Sequence, residues 1–197
     1  LRRRERVRLR LINASVDRIF PLGFAGLKGM IVAIDGMPLA APRSFDGLVL
    51  APAQRTDIIA DVTGRVQVFM PSQPDNYVLG EMIAEGEVAR RTVEVPTLPP
   101  HSVPSPNSVN QELVLTMQGG AMSRGHAGDN IWAFNDVSDL QSAPFASFER
   151  GETAKITLVN ETSFAHGIHL HGHHFYEVNP DGSMGDLRDT TLVQAGE

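Results

Sequence analysis

The sequence predicts an all-β protein made of two β-rich units, each a sandwich or barrel. Short apolar stretches recur along the chain, punctuated by turn signals such as glycine, proline or an Asp-Gly pair. Composition agrees, with 18 Gly and 13 Pro against nine Phe, two Tyr and one Trp. A length of 197 residues fits one large domain or two small ones. A proline-rich interval near the middle favours two.

Val7-Arg8-Leu9-Arg10-Leu11-Ile12 alternates as a strand with one buried face, and Asn13-Ala14-Ser15 ends it. Met30-Ile31-Val32-Ala33-Ile34 runs into Asp35-Gly36, a hairpin turn signal. Leu48-Val49-Leu50 stops at Pro52, Asp57 to Val62 stops at Thr63-Gly64, and Val66 to Met70 stops at Pro71. Tyr77 to Glu87 reads ambiguously as helix or strand, because Gly80 and Gly86 interrupt it. Residues 96–110 hold five prolines and three serines and predict an extended linker. Strands resume at Glu112 to Met117, Ile131 to Asn135 and Lys155 to Asn160, the last alternating cleanly.

Charge and cysteine content exclude several functions. A net charge of −6 argues against a nucleic-acid partner, which requires a basic face. Zero cysteine removes a disulfide scaffold, a thiolate zinc site and a cysteine nucleophile. No run of about 18 apolar residues is present, so no membrane span is predicted. The basic start Leu1-Arg2-Arg3-Arg4-Glu5-Arg6 is not a signal-peptide head, since arginines continue where an apolar region is needed. The chain lacks an initiator methionine and stops at Gln194-Ala195-Gly196-Glu197 without a closing element, which predicts a piece of something longer.

Five of the seven histidines fall in His166-Gly167-Ile168-His169-Leu170-His171-Gly172-His173-His174. Interleaved Ile168, Leu170 and Phe175 argue against a disordered histidine tract. Alternate side chains of a strand share a face, so His169, His171 and His173 are expected to project together, and His166 has the other parity. Imidazoles two residues apart can converge on one metal ion or serve neighbouring ions of a cluster. Imidazole suits copper, zinc, iron and nickel, so spacing alone says transition metal without choosing one. A metallo-hydrolase of the β-lactamase kind needs an Asp before a further histidine, and Gly172-His173-His174 has none. A cupin fits the fragment His171, His173 and Glu177, but no histidine follows His174 to complete it. His101, in the linker, and His126, in a glycine-rich stretch, have no motif around them and read as solvated loop histidines. Met117, Met122 and Met184 are scattered and read as packing or loop residues rather than soft copper ligands.

The histidine segment through Phe175 resembles the multicopper oxidase motif His-Pro-x-His-Leu-His-Gly-His-x-Phe. Phe148-Glu149-Arg150-Gly151-Glu152, Asn160-Glu161-Thr162 and Arg188-Asp189-Thr190-Thr191-Leu192-Val193 resemble its surroundings in the third cupredoxin domain of that family. Val7 to Ala14, Ala33-Ile34-Asp35-Gly36 and Ala51-Pro52-Ala53-Gln54-Arg55-Thr56-Asp57 resemble the later part of the second. The resemblance implies two Greek-key cupredoxin-like units, both incomplete: 1–95 from the second domain, 96–110 as linker, 111–197 from the third. It implies His166 as a ligand of type 1 copper, His169 of type 2 copper and His171 of one type 3 copper. His173 falls on a non-ligand position and is assigned to orienting a ligating imidazole; His174 falls on a variable one. Gly167 stands where the family usually has proline, which frees the loop without removing a ligand.

For a complete protein, the resemblance implies a laccase-like oxidase that passes electrons from a small reducing substrate at type 1 copper to dioxygen at a trinuclear cluster. The short His166–His169 spacing offers a covalent link between the two. The family's cluster needs four His-x-His motifs and its blue site a cysteine; this chain holds one motif and no cysteine, so the piece alone is expected to be inactive. Open sheet edges predict aggregation or a need for partner segments. The competing function is a non-enzymatic cupredoxin-like scaffold, against which the intact His166, His169 and His171 stand. The resemblance also implies a periplasmic or extracellular site of action.

Overall fold

The computed structural model describes residues 1–86, 93–106, 108–120 and 131–197, and among them every regular element is a strand. The chain divides into two units: Leu1–His101 with His169–Thr191, and Ser102–Ile168 with Leu192–Glu197. No helix is long and apolar enough to cross a membrane among the described residues.

The first unit contains β1 (Glu5–Ile12), β2 (Phe20–Ala25), β3 (Gly29–Ile34), β4 (Met37–Arg43), β5 (Gly47–Leu50), β6 (Arg55–Val62), β7 (Arg65–Met70) and β8 (Tyr77–Ile83). They form two four-stranded sheets, ordered β1-β6-β3-β4 and β5-β2-β7-β8. The alternation in β1 works as the sequence predicts. Val7, Leu9 and Leu11 pack on the cluster of Ile31, Leu39, Ile58 and Ala60, while Arg8 and Arg10 turn to Asp57. Phe24 of β2 and Leu48 of β5 join the same cluster, so the two sheets share one core, as in a sandwich. Asp35 (φ 49°) and Gly36 (φ 81°) make the tight β3–β4 hairpin. The ambiguous stretch resolves as β8, an antiparallel neighbour of β7 with Met70 opposite Tyr77 and Arg65 opposite Ile83.

The second unit carries β9 (Gln111–Gly119), β10 (Trp132–Phe134) and β11 (Ala154–Asn160). In this sheet β9 lies between the other two, antiparallel to β10 and parallel to β11. The clean alternation of β11 does not translate into one buried face, since Ile156 is 43% exposed. Burial here concentrates on Met117, Ala133, Val193 and the polar pair Asn160 and Thr162. β12 (His166–His169) pairs with β15 (Thr190–Val193) as a ribbon, and the unit boundary falls within both strands. β13 (Phe175–Val178) and β14 (Met184–Arg188) form a hairpin in the first unit.

The histidine run is therefore not one continuous strand. β12 ends at His169, and His171-Gly172 is a turn in which Gly172 has φ 77°. Glycine adopts that left-handed conformation without a Cβ clash, and the chain uses it to leave the alternation.

Candidate metal centre

The candidate ligands lie in two local settings, His166 in the second unit and His169 with His171 in the first. His166 opens β12, just after the turn that ends β11. Asn160 holds that turn: its Nδ2 donates to the carbonyls of Phe164 (2.7 Å) and Gln194 (2.9 Å). Its Oδ1 accepts the N–H (3.0 Å) and the hydroxyl (2.7 Å) of Thr162. The Thr162 hydroxyl has one hydrogen and two oxygen acceptors, Asn160 Oδ1 and the Phe164 carbonyl at 3.0 Å. Toward His166 it can offer only a lone pair. With its hydrogen on Asn160 Oδ1, the hydroxyl 2.7 Å from Nε2 accepts a hydrogen bond from Nε2–H, the tautomer that leaves the lone pair on Nδ1. Trp132 meets the ring edge-to-face at 5.2 Å, and Phe164 packs on Trp132 at 6.1 Å. A Cβ on Gly120 (φ 104°) would come within 3.0 Å of the Trp132 ring, so glycine lets that ring sit where it does. Burial pushes the His166 pKa below the usual imidazole range, which favours the neutral, metal-binding form.

His169 is held by the segment between β14 and β15. Its Nδ1 lies 2.9 Å from Thr190 Oγ1, 3.2 Å from the Asp189 carbonyl and 3.3 Å from Asp189 Oδ1. Thr190, fully buried, donates its hydroxyl to Asp189 Oδ1 at 2.8 Å. Arg55 grips the same carboxylate with both terminal nitrogens, at 2.9 Å to Oδ1 and 2.6 Å to Oδ2. Burial pushes the Asp189 carboxyl up, but the hydrogen bonds from Arg55 and Thr190 and the Arg55 charge outweigh it, so its pKa lies below the usual carboxylate value. Buried Asp35 ties these pieces together. One carboxylate oxygen accepts the Arg55 N–H (2.9 Å), the other the N–H groups of Asp189 (3.3 Å) and Thr190 (3.1 Å). The Asp35 carbonyl accepts Arg55 Nη2 at 2.7 Å.

The structure brings the rings of His169 and His171 to a centroid separation of 5.0 Å at 60°. His173 does not share their row, because the Gly172 turn intervenes; its Nδ1 lies 3.4 Å from the His171 carbonyl. His174 reaches Asp189 Oδ2 at 3.9 Å. His101 is not a solvated loop residue. The proline-rich segment lays its ring against Tyr176, with Nε2 3.5 Å from the phenol oxygen and Nδ1 buried. Met117 is buried in the second unit and Met184 is exposed, while His126 and Met122 lie outside the described residues.

The donors fit a transition-metal site. Each of His166 and His169 has one ring nitrogen engaged by oxygens and the other left for a metal, the arrangement that fixes a ligating imidazole. Among the described residues no three His, Asp or Glu side chains gather as a complete site. Sequence reasoning missed Thr162, Thr190, Asp189, Arg55 and Asp35 as supports for these histidines. All five lie in segments that carried the family resemblance, which was the available signal.

Comparison with known proteins gives the family. Two sequence models described as multicopper oxidase match residues 1–86 and 107–197. The curated multicopper oxidase MmcO of Mycobacterium tuberculosis is 26% identical over 96% of this chain and 39% of its own length. The crystal structure of Lac15, from a marine microbial metagenome, is 48% identical with a TM-score of 0.84, covering 100% of this chain and 48% of that one. A multi-copper oxidase from Pseudomonas thermotolerans shares the fold at TM-score 0.81 and 22% identity, over 100% of this chain and 47% of its own. This chain thus spans less than half the length of each of these relatives. Its two β units have the cupredoxin-like architecture of these proteins, and the chain belongs to the multicopper oxidase family, whose metal is copper.

Proposed function

We propose that this chain is part of a laccase-like oxidase that couples one-electron oxidation of a phenol or a metal ion to reduction of dioxygen to water. The observation that supports this best is the pair of histidines whose rings are each fixed by oxygens at one nitrogen and left open at the other. Bound copper would supply the one-electron and dioxygen chemistry. His166 would offer Nδ1 to the type 1 copper, with Trp132 edge-on to its ring. His169 would offer Nε2 to the type 2 copper, and neighbouring His171 would serve a type 3 copper. His173, bonded to the His171 carbonyl, would steady the turn that presents it.

In this reading residues 1–95 are the later part of a second cupredoxin domain, 96–110 a linker and 111–197 most of a third. Action in the periplasm or outside the cell follows the family resemblance. Expressing the longer protein with copper tests the function, alongside His166→Ala and His169→Ala. The parent should show intense blue absorption and oxygen uptake with a phenol. His166→Ala should lose the colour, and His169→Ala should keep it while uptake falls to background. The 197-residue chain alone, lacking cysteine, should show neither signal. A copper-loaded parent that consumes no oxygen with phenols, cuprous or ferrous ions would sink the reading.

A further inference from the structure

We infer that Arg55 is a positioning residue for His169. Acting through Asp189 and Thr190, it holds the imidazole with its proton on Nδ1, so that only Nε2 can meet a metal. The inference rests on the proposed function for the identity of the metal, but the tautomer itself does not depend on it.

The argument is a count of hydrogens. Thr190 has one hydroxyl hydrogen and spends it on Asp189 Oδ1 at 2.8 Å. The Asp189 carboxylate is an acceptor only, and the Arg55 fork fixes both its oxygens. All three oxygens near His169 Nδ1 are therefore acceptors: Thr190 Oγ1, the Asp189 carbonyl and Asp189 Oδ1. A ring nitrogen facing three acceptors carries the proton. That is the less common form of a neutral imidazole, which in water prefers its proton on Nε2. The protein selects the rarer tautomer, and the selection depends on a carboxylate that cannot rotate away.

Arg55 is itself built in. Its main-chain N–H is anchored on Asp35 Oδ1, its Nη1 also donates to the Ala53 carbonyl and its Nη2 to the Asp35 carbonyl. Asp35 Oδ2 in turn receives the N–H groups of Asp189 and Thr190. One buried carboxylate thus sets the distance between the arginine and the segment it grips. A lysine at position 55 could keep the charge but not the two-pronged contact.

The test reads the tautomer directly. Long-range proton–nitrogen correlation spectra of the metal-free, 15N-labelled chain at one alkaline pH should show His169 protonated on Nδ1. Arg55→Met should free Asp189, let the Thr190 hydroxyl turn toward the ring and give a mixture with the Nε2–H form. Copper(II), titrated as the free ion with a competing chelator, should bind the variant about 10- to 100-fold more weakly. Arg55→Lys should recover part of both effects. Either an Nε2–H His169 in the parent chain or a folded Arg55→Met chain with unchanged tautomer and copper affinity overturns the inference. Because the spectrum is recorded without copper, a failed tautomer prediction is separable from a failed oxidase assignment.

Discussion

At Asn13 and at Asn160 the chain leaves a strand through the same set of hydrogen bonds. Asn13 donates its N–H to the Gln54 carbonyl and accepts the Ala53 N–H; Asn160 donates to the Glu197 carbonyl and accepts the Gly196 N–H. The Asn13 Nδ2 reaches the carbonyls of Arg18 and Leu50 and its Oδ1 takes both hydrogens of Ser15. Asn160 does the same with Phe164, Gln194 and Thr162. The difference comes at the first residue of the next strand. In the first unit that residue is Phe20, with the Arg18 guanidinium 5.6 Å from its ring. In the second it is His166, 2.7 Å from the Thr162 hydroxyl. A hydroxyl already committed as a donor has lone pairs to spare. The corner is thus a structural device in both units, and a histidine placed after it becomes an oriented ligand without further change.

Removing the asparagine should break both corners but move only one site. Asn160→Ala removes the acceptor of the buried Thr162 N–H and the donor to the Phe164 and Gln194 carbonyls, and should cost about 3 kcal/mol. Asn13→Ala should cost a similar amount for the same reason. Urea unfolding measures both losses. Only Asn160→Ala should also shift the His166 ring resonances; equal disturbance of His166 by both variants would show that the corners are not independent.

Thr162→Val keeps the shape and removes the hydroxyl, a smaller change of about 1–2 kcal/mol. The slowly exchanging imidazole N–H of His166 should disappear from proton spectra, and Thr162→Ser should restore it. Ser15→Ala, the matched change in the first unit, should leave that signal untouched and cost less, because the Ser15–Arg18 contact is exposed. A His166 N–H that survives in Thr162→Val would assign the orientation of the ring to Trp132 packing instead.

Local features of this arrangement were legible in the sequence and distant ones were not. The Asp35-Gly36 hairpin and the alternation of β1 need only neighbouring residues, and both form as read. The histidine cluster declares itself by density. Its shape did not, because one left-handed glycine, Gly172, overrides the alternation that placed His173 beside His171. The support of His169 was hidden for another reason: Arg55 and Asp189 are 134 residues apart, and nothing in either segment names the other. Likewise β11 alternates as a half-buried strand does, yet Ile156 stays exposed, since burial depends on what packs over the sheet rather than on the pattern.

A third copy of the same turn offers a way to weigh the hydroxyl contact without a buried environment. In the β13–β14 loop, Asp181 Oδ1 accepts the N–H of Ser183 at 2.9 Å and its hydroxyl at 2.6 Å, the pattern seen at Asn13 and Asn160. Here the acceptor is an exposed carboxylate, so its titration reports the contact. The Ser183 hydroxyl, then its N–H, hold the Asp181 pKa below the usual aspartate value, with slight opposition from burial. A depressed folded-state pKa means that the contribution to stability is present above the unfolded value near ~3.9 and is lost as pH falls through the folded one. Ser183→Ala removes the larger of the two bonds and should bring the Asp181 midpoint back toward that value in a carboxyl NMR titration, with a small loss of unfolding stability at neutral pH that disappears at acid pH. An unmoved midpoint would mean that the backbone N–H alone holds the turn. In that case the hydroxyls of Ser15 and Thr162 would contribute through burial, and the link from Thr162 to His166 would stand as the one part of the corner that requires an oxygen.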